Sequence, residues 1–314
     1  MASVDGGHYF LTILAPVRRE WVKGLHEQTT APMILLREKL ARMPTAMQTP
    51  ASTASGRISN FSKSSLTHFA RFAVIDRLGY NGYVAADPVL TTLRLQRPIE
   101  HREELERPYL LFAAEFDAPS GSPVRDLAVY LRELWDVMQK DLVDIFQNCV
   151  GFDPDKITTA ADFITYIKQC EIDTTMPFNW YWVEDPKLES LRAGTLLTGA
   201  ALTGLVLGGG VWWVMQDRFP TLSIIVGVLL FLIAAVLYVA IDLKAVGDKP
   251  FPASPDGDLQ TVLKALHLQT TFGRFVADYQ TASDEKLYNV FGEYLEANKV
   301  QEAEPKHPAG KVYP

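Results

Sequence analysis

Two charge-free runs separated by a short polar break constrain this chain more than any other feature. The first extends from Ala193 to Val214 and the second from Thr221 to Ile241, with Asp217 and Arg218 in the break between them. Crossing about 30 Å of hydrocarbon takes roughly 20 consecutive, mostly apolar residues in a helix. A charge at the bilayer centre costs about 2.5–3.5 kcal/mol on insertion scales, so two runs that both avoid charge read as a pair of spans. The break is too short for anything but antiparallel neighbours, and residues 188–245 are expected to form a transmembrane helical hairpin.

Within the first run, Ala200, Gly204 and Gly208 stand four apart on one helix face. Small residues at that spacing let helix backbones approach closely in a membrane. The second run offers Gly227, Ala234 and Ala235 as the facing surface. Trp212 and Trp213 close the first run, and Trp180 and Trp182 precede it. Aromatic rings favour the headgroup level, so these four tryptophans are expected at the membrane interface. Gly208 to Gly210 is not a phosphate loop, because no Lys or Ser/Thr signature follows it.

Orientation follows from the basic residues. Lys187, Arg192, Lys244 and Lys249 flank the open ends, whereas Arg218 in the turn is offset by Asp217. The positive-inside rule then places both termini in the cytoplasm. The apolar run Tyr9 to Ala15 is too short for a signal peptide and lacks a basic start and a cleavage site.

With the hairpin set aside, the 314 residues, formal net charge −7, divide into an α+β domain over 1–187, a helical region over 246–298 and a polar, proline-bearing tail over 299–314 expected to be disordered. The acidic total argues against nucleic acid as a partner, since a phosphate footprint needs a clustered basic surface. Two cysteines, Cys149 and Cys170, cannot build a four-ligand zinc site and read as free thiols packed as small hydrophobes. The six histidines are scattered with no pair at metal-ligand spacing, and no metal centre is expected.

The first domain reads strand, helix, strand, strand, helix, strand. His8 to Val17 is the first strand, Arg18 to Glu27 a helical stretch with Trp21, Val22 and Leu25 on one face, and Met33 to Met43 a second helical run. Pro44 to Ser65 is a long loop and Leu66 to Ile75 a strand, whose alternation sends His68 and Arg71 to opposite faces. Arg71 is expected to pair across strands with Glu115 or Asp117. An extended piece at Val89 to Leu95 precedes the strand Pro108 to Asp117. Ser122 caps a long helix to Asn148, whose stripe runs from Val124 through Leu127, Leu131, Leu134, Trp135, Met138, Leu142 and Ile145. Thr159 and Asp162 stand at capping-box spacing before a shorter helix, and Glu171 to Val183 is the fourth extended element. After the hairpin, Asp258 and Ser283 are expected to cap two further helices, Leu259 to Tyr279 and Asp284 to Asn298.

That order is the one a ferredoxin-like sandwich takes, with the helices on one sheet face. The strand words LTHFARFAVID and LLFAAEFDA, the long amphipathic helix and CVGF resemble a group of uncharacterised bacterial membrane-anchored proteins. That group is itself similar to the dimeric α+β-barrel superfamily, which includes dye-decolorising peroxidases. The resemblance spans Tyr9 to Val183 and implies a bacterial inner-membrane location. It also implies a Gly-x-x-Asp-Gly loop and a proximal haem His. Gly151-Phe152-Asp153-Pro154-Asp155 lacks the second Gly, and no His matches that position.

Two functional expectations follow. The first is an accessory or scaffold subunit, not an enzyme, which binds another protein or a second copy of itself and is anchored in membrane lipid. The second is a protein holding haem or a lipid between sheet and helices, in a pocket lined by His68, Phe69, Arg71, Phe112 and Trp135.

Overall fold

A computed structural model describes residues 4–23, 29–45, 47, 50–77, 89, 92–93, 105–173, 186, 193–249 and 251–311. A four-stranded antiparallel sheet lies at its centre. The strands are β1 (Val4–Asp5), β2 (His8–Pro16), β5 (Thr67–Ile75) and β6 (Tyr109–Asp117), in the order β1-β2-β6-β5. The alternation in β2 explains its seat. Tyr9, Leu11, Ile13 and Ala15 are buried, and Phe10, Thr12 and Leu14 on the other face are half-buried. In β6, Leu110, Phe112, Ala114 and Phe116 point the same way as the buried set of β2, in register from His8↔Asp117 to Pro16↔Tyr109.

Helices cover that inner face. They are α1 (Pro32–Arg42), α3 (Pro123–Phe146) and α4 (Ala160–Cys170), while α2 (Pro50–Ser55) lies in the connection before β5. The α3 stripe buries Leu127, Leu131, Leu134, Trp135, Met138, Leu142 and Ile145 as the spacing predicts, and adds Tyr130 and Phe146. Tyr130 stacks on Phe116 and Trp135 tilts onto Phe163 of α4, with ring centroids 3.7 and 5.1 Å apart. Phe112 stacks on Phe72 at 4.6 Å, so the space between sheet and helices is filled by rings.

Several local expectations need correction. Val22–Lys23 is not helical but a short strand, β3, paired with β4 (Thr29–Thr30), and Trp21 is exposed. Residues 18–21 of that expected helix are not helical either, and residues 24–27 lie outside the described residues. Val124 is exposed, and Asp126 turns inward instead, accepting the Ser120 N–H at 3.3 Å; Ser122 makes no side-chain cap. The loop before β5 carries α2 and a 3-10 turn, Asn60–Lys63, whose Phe61 ring packs 6.1 Å from Phe72 and from Phe112. The capping box holds. Thr159 Oγ1 accepts the Asp162 N–H, and Asp162 accepts the Thr159 N–H at 3.0 Å. Of the expected piece at 89–95, only Val89, Thr92 and Leu93 are described, and of Glu171 to Val183 only the first three residues.

Helices α5 (Ala193–Met215) and α6 (Pro220–Gly247) form the hairpin, and both are long and apolar enough to cross a membrane. They are followed by α7 (Leu259–Tyr279), capped by Asp258 on the Thr261 N–H at 3.0 Å, and α8 (Asp284–Asn298), where Ser283 makes no side-chain cap. Beyond α8, the segment 299–311 bonds back to earlier parts of the chain. The His307 N–H donates to Leu263 O at 3.0 Å, and the Met47 N–H to Gly310 O at 2.8 Å.

Candidate functional site

The end of the sheet where β2 begins and β6 finishes gathers ionisable groups on the face opposite the helices. Gly6 and Gly7, both at positive φ, turn the chain from β1 into β2 and set His8 directly across from Asp117. On the neighbouring strand, a register shift between Thr67 and Phe69 inserts His68 as an extra residue. A bulge of this kind re-aims a side chain. The Thr67 hydroxyl stays on the core side, donating to Tyr130 Oη at 3.2 Å, while His68 Nε2 donates to Asp117 Oδ1 at 2.8 Å.

Asp117 is held from two sides. Its second oxygen, Oδ2, accepts the N–H of Leu259 at 3.0 Å, the first residue of α7. A helix N-terminus favours a carboxylate through its free amides and its dipole. His8 is 4% exposed and Asp117 8%. The rings of His8 and His68 meet edge to face, with centroids 4.9 Å apart. His8 Nδ1 is buried without a hydrogen-bond partner among the described residues, and its nearest carboxylate oxygen, Glu115 Oε1, stands 3.8 Å away. An unmet buried donor or acceptor costs about 1–3 kcal/mol.

Burial sets the charge states here. It lowers the His8 pKa below its ordinary 6.5, helped by the neighbouring His68 and opposed by Asp117 and Asp258, so the ring is neutral at pH 7. Burial raises the Glu115 pKa, with His68 opposing and Asp117 adding to the rise. The 3.8 Å contact between His8 and Glu115 is therefore no ion pair at neutral pH. One ligand-capable atom each from His8, His68 and Asp117 lies within 4.8 Å of the others.

The residues expected to line an apolar ligand pocket are not brought together. Phe112 and Trp135 sit in the packed core, whereas Arg71 and Phe69 are exposed, Phe69 to 70%, on the sheet face away from it. Arg71 lies opposite Ala113 and makes no ion pair among the described residues; the cross-strand carboxylates go to His8 and His68 instead. Because of the bulge, His68 meets Asp117 on the open face that also carries Arg71, where simple alternation separates the two. Sequence spacing missed this cluster because its members are far apart in the chain and one depends on a bulge.

In the hairpin, Ala200, Gly204 and Gly208 of α5 are buried against Ser223, Gly227 and Ala234 of α6. A Cβ at Gly204 would stand 2.6 Å from the Phe231 ring, and one at Gly227 would stand 3.0 Å from Gly208 O. Outward, Leu205, Val206, Ile225 and Leu229 are exposed, Val206 to 71%. Trp212 and Trp213 are exposed at the turn end of α5, and Trp180 and Trp182 lie outside the described residues.

No protein-family model, curated protein or solved structure matches this chain.

Proposed function

We propose that the protein is a membrane-anchored accessory or scaffold subunit, held in the bilayer by α5 and α6 with both termini in the cytoplasm, which binds a partner protein through its α+β domain. The contrast within the hairpin carries this reading. The buried positions of the seam are all small, with Gly204 and Gly199 making room for the Phe231 and Tyr238 rings, while the large aliphatic side chains face outward. In water such a surface would be a severe aggregation liability, whereas in lipid it is the expected one. Lys244 and Lys249 at the open end and the single Arg218 at the turn, beside Asp217, support the orientation.

The domain itself we read as ferredoxin-like. Ile13 bridges Glu171 in antiparallel sense and the Ile172 N–H donates to Thr12 O at 3.0 Å, so the chain after α4 starts along the part of the β2 edge that β1 leaves uncovered beyond Tyr9. Counted with that bridge, the order 171–173, β2, β6, β5 supports this reading.

The test is fractionation of the full-length protein followed by mild-detergent purification. The expected protein resists alkaline extraction from membranes and co-purifies with a stoichiometric second polypeptide or as a defined oligomer. Monodisperse protein in detergent-free buffer would overturn the anchoring, and a partner-free monomer in detergent would overturn the subunit role.

A further inference from the structure

We propose that His8, His68 and Asp117 bind one divalent transition-metal ion of the zinc class, through one ring nitrogen of each histidine and one carboxylate oxygen. The site goes beyond the scaffold reading and does not depend on it.

Three observations converge. The first is proximity: the three donor atoms already stand within 4.8 Å of one another. Zn–N and Zn–O distances of about 2.0–2.2 Å place the donors of a tetrahedral ion roughly 3.5 Å apart. Closing the cluster therefore takes shifts of about an ångström, within reach of side-chain rotation. The second is the unmet buried nitrogen, His8 Nδ1, which finds no hydrogen-bond partner among the described residues. The third is the outer support. Asp117 Oδ2 is fixed by the Leu259 N–H at 3.0 Å. Ligating carboxylates hydrogen-bonded in this way are typical of metal centres.

The donor set selects the ion. Two imidazoles and one carboxylate suit zinc and its transition-metal neighbours, while calcium and magnesium call for all-oxygen cages. The donors come from β2, β5 and β6, and Asp117 is tied to the first turn of α7, so the ion would join the sheet to the segment that follows the hairpin.

The experiment uses full-length protein purified in detergent without a polyhistidine tag, stripped with a chelator and titrated with Zn2+ against a chromophoric competitor. The expected result is one Zn2+ per chain. His8→Gln, His68→Gln and Asp117→Asn should each weaken binding by more than about 100-fold, beyond what loss of an outer partner costs. His267→Gln and His307→Gln should leave it unchanged. Should the ligand variants fail to fold, the wild-type protein decides. With labelled histidine, one equivalent of Zn2+ should move the ring signals of two of the six histidines. Absence of stoichiometric binding, unchanged affinity in a folded His68→Gln variant, or Zn2+ shifts at His267 or His307 instead would each overturn the site. None of these outcomes touches the anchoring of the hairpin.

Discussion

Gly208 of α5 and Gly227 of α6 cross so closely that a Cβ on either would press on the other's carbonyl oxygen. The approach makes the hairpin one packed unit. Gly208→Leu forces the helices apart and should lower stability in detergent by roughly 1–3 kcal/mol, the usual cost of overpacking. Gly209→Leu is the control, since nothing lies within 4 Å of a Cβ there. Its stability should hold or rise slightly, because a glycine inside a helix costs about 0.5–1 kcal/mol. Thermal unfolding in detergent separates the two, and equal losses in both variants would contradict the packing.

Cys149 and Cys170 should differ sharply in reactivity. Cys149 is buried, and burial pushes its thiol up to about 12, with Cys170 adding to the rise. At pH 8 about one molecule in ten thousand then carries the thiolate that alkylating reagents need. Cys170 is half-buried and also raised by burial, but solvent reaches it. Iodoacetamide should label Cys170 first in the folded protein and Cys149 only after denaturation, as read by peptide mass spectrometry. Labelling of Cys149 at the rate of a free cysteine would show that the core opens there.

What could be read in advance follows from the range of the interactions. The period-two alternation of β2 and β6, the stripe of α3, the Thr159–Asp162 box and the small residues of α5 are all local patterns, and each holds in the structure. The His8–His68–Asp117 cluster has no local signal. It needs the register of β2 against β6 and an inserted residue in β5, and alternation alone puts His68 on the wrong face. Ser122 and Ser283 have the right identity for caps but make no cap bond, since identity does not fix the side chain's direction.

Acid should loosen the capped helices. At Asp258 burial pushes the carboxyl up, but the hydrogen bonds from Thr261 and the first-turn amides outweigh it, and the folded value falls below 3.8. At Asp162 the Thr159 hydroxyl and amide lower the value likewise. A depressed folded pKa gives stability that is complete above the unfolded value and lost as pH falls through the folded one. Helix content monitored from roughly pH 5 to pH 3 should therefore decline, and less steeply in Asp162→Asn/Asp258→Asn. At neutral pH, Asp258→Ala should cost on the order of 1 kcal/mol, as loss of an N-cap does. An acid profile identical in the variant and the wild type would remove these carboxylates from the account.

Lys264 anchors the C-terminal segment. Its ammonium, on a residue only 8% exposed, donates to Asn298 O at 2.6 Å, Lys299 O at 2.9 Å and Glu304 O at 3.2 Å. Three carbonyls around one cation complete the donor capacity of a lysine and stop the end of α8 from fraying. Lys264→Met keeps the apolar stem in place and leaves those carbonyls without their cation. Hydrogen bonds to a charged group contribute about 1.5–3 kcal/mol, so the local loss should be of that order. Limited proteolysis should then cut between 299 and 311 in the variant well before the wild type, while the sheet domain keeps its protection. Lys264→Arg is the sharper comparison, because its charge is kept but a planar guanidinium cannot point three donors at the same three oxygens. Restoration of wild-type protection by arginine would mean that charge alone holds the segment, and equal cleavage in all three proteins would mean that Lys264 does not hold it at all.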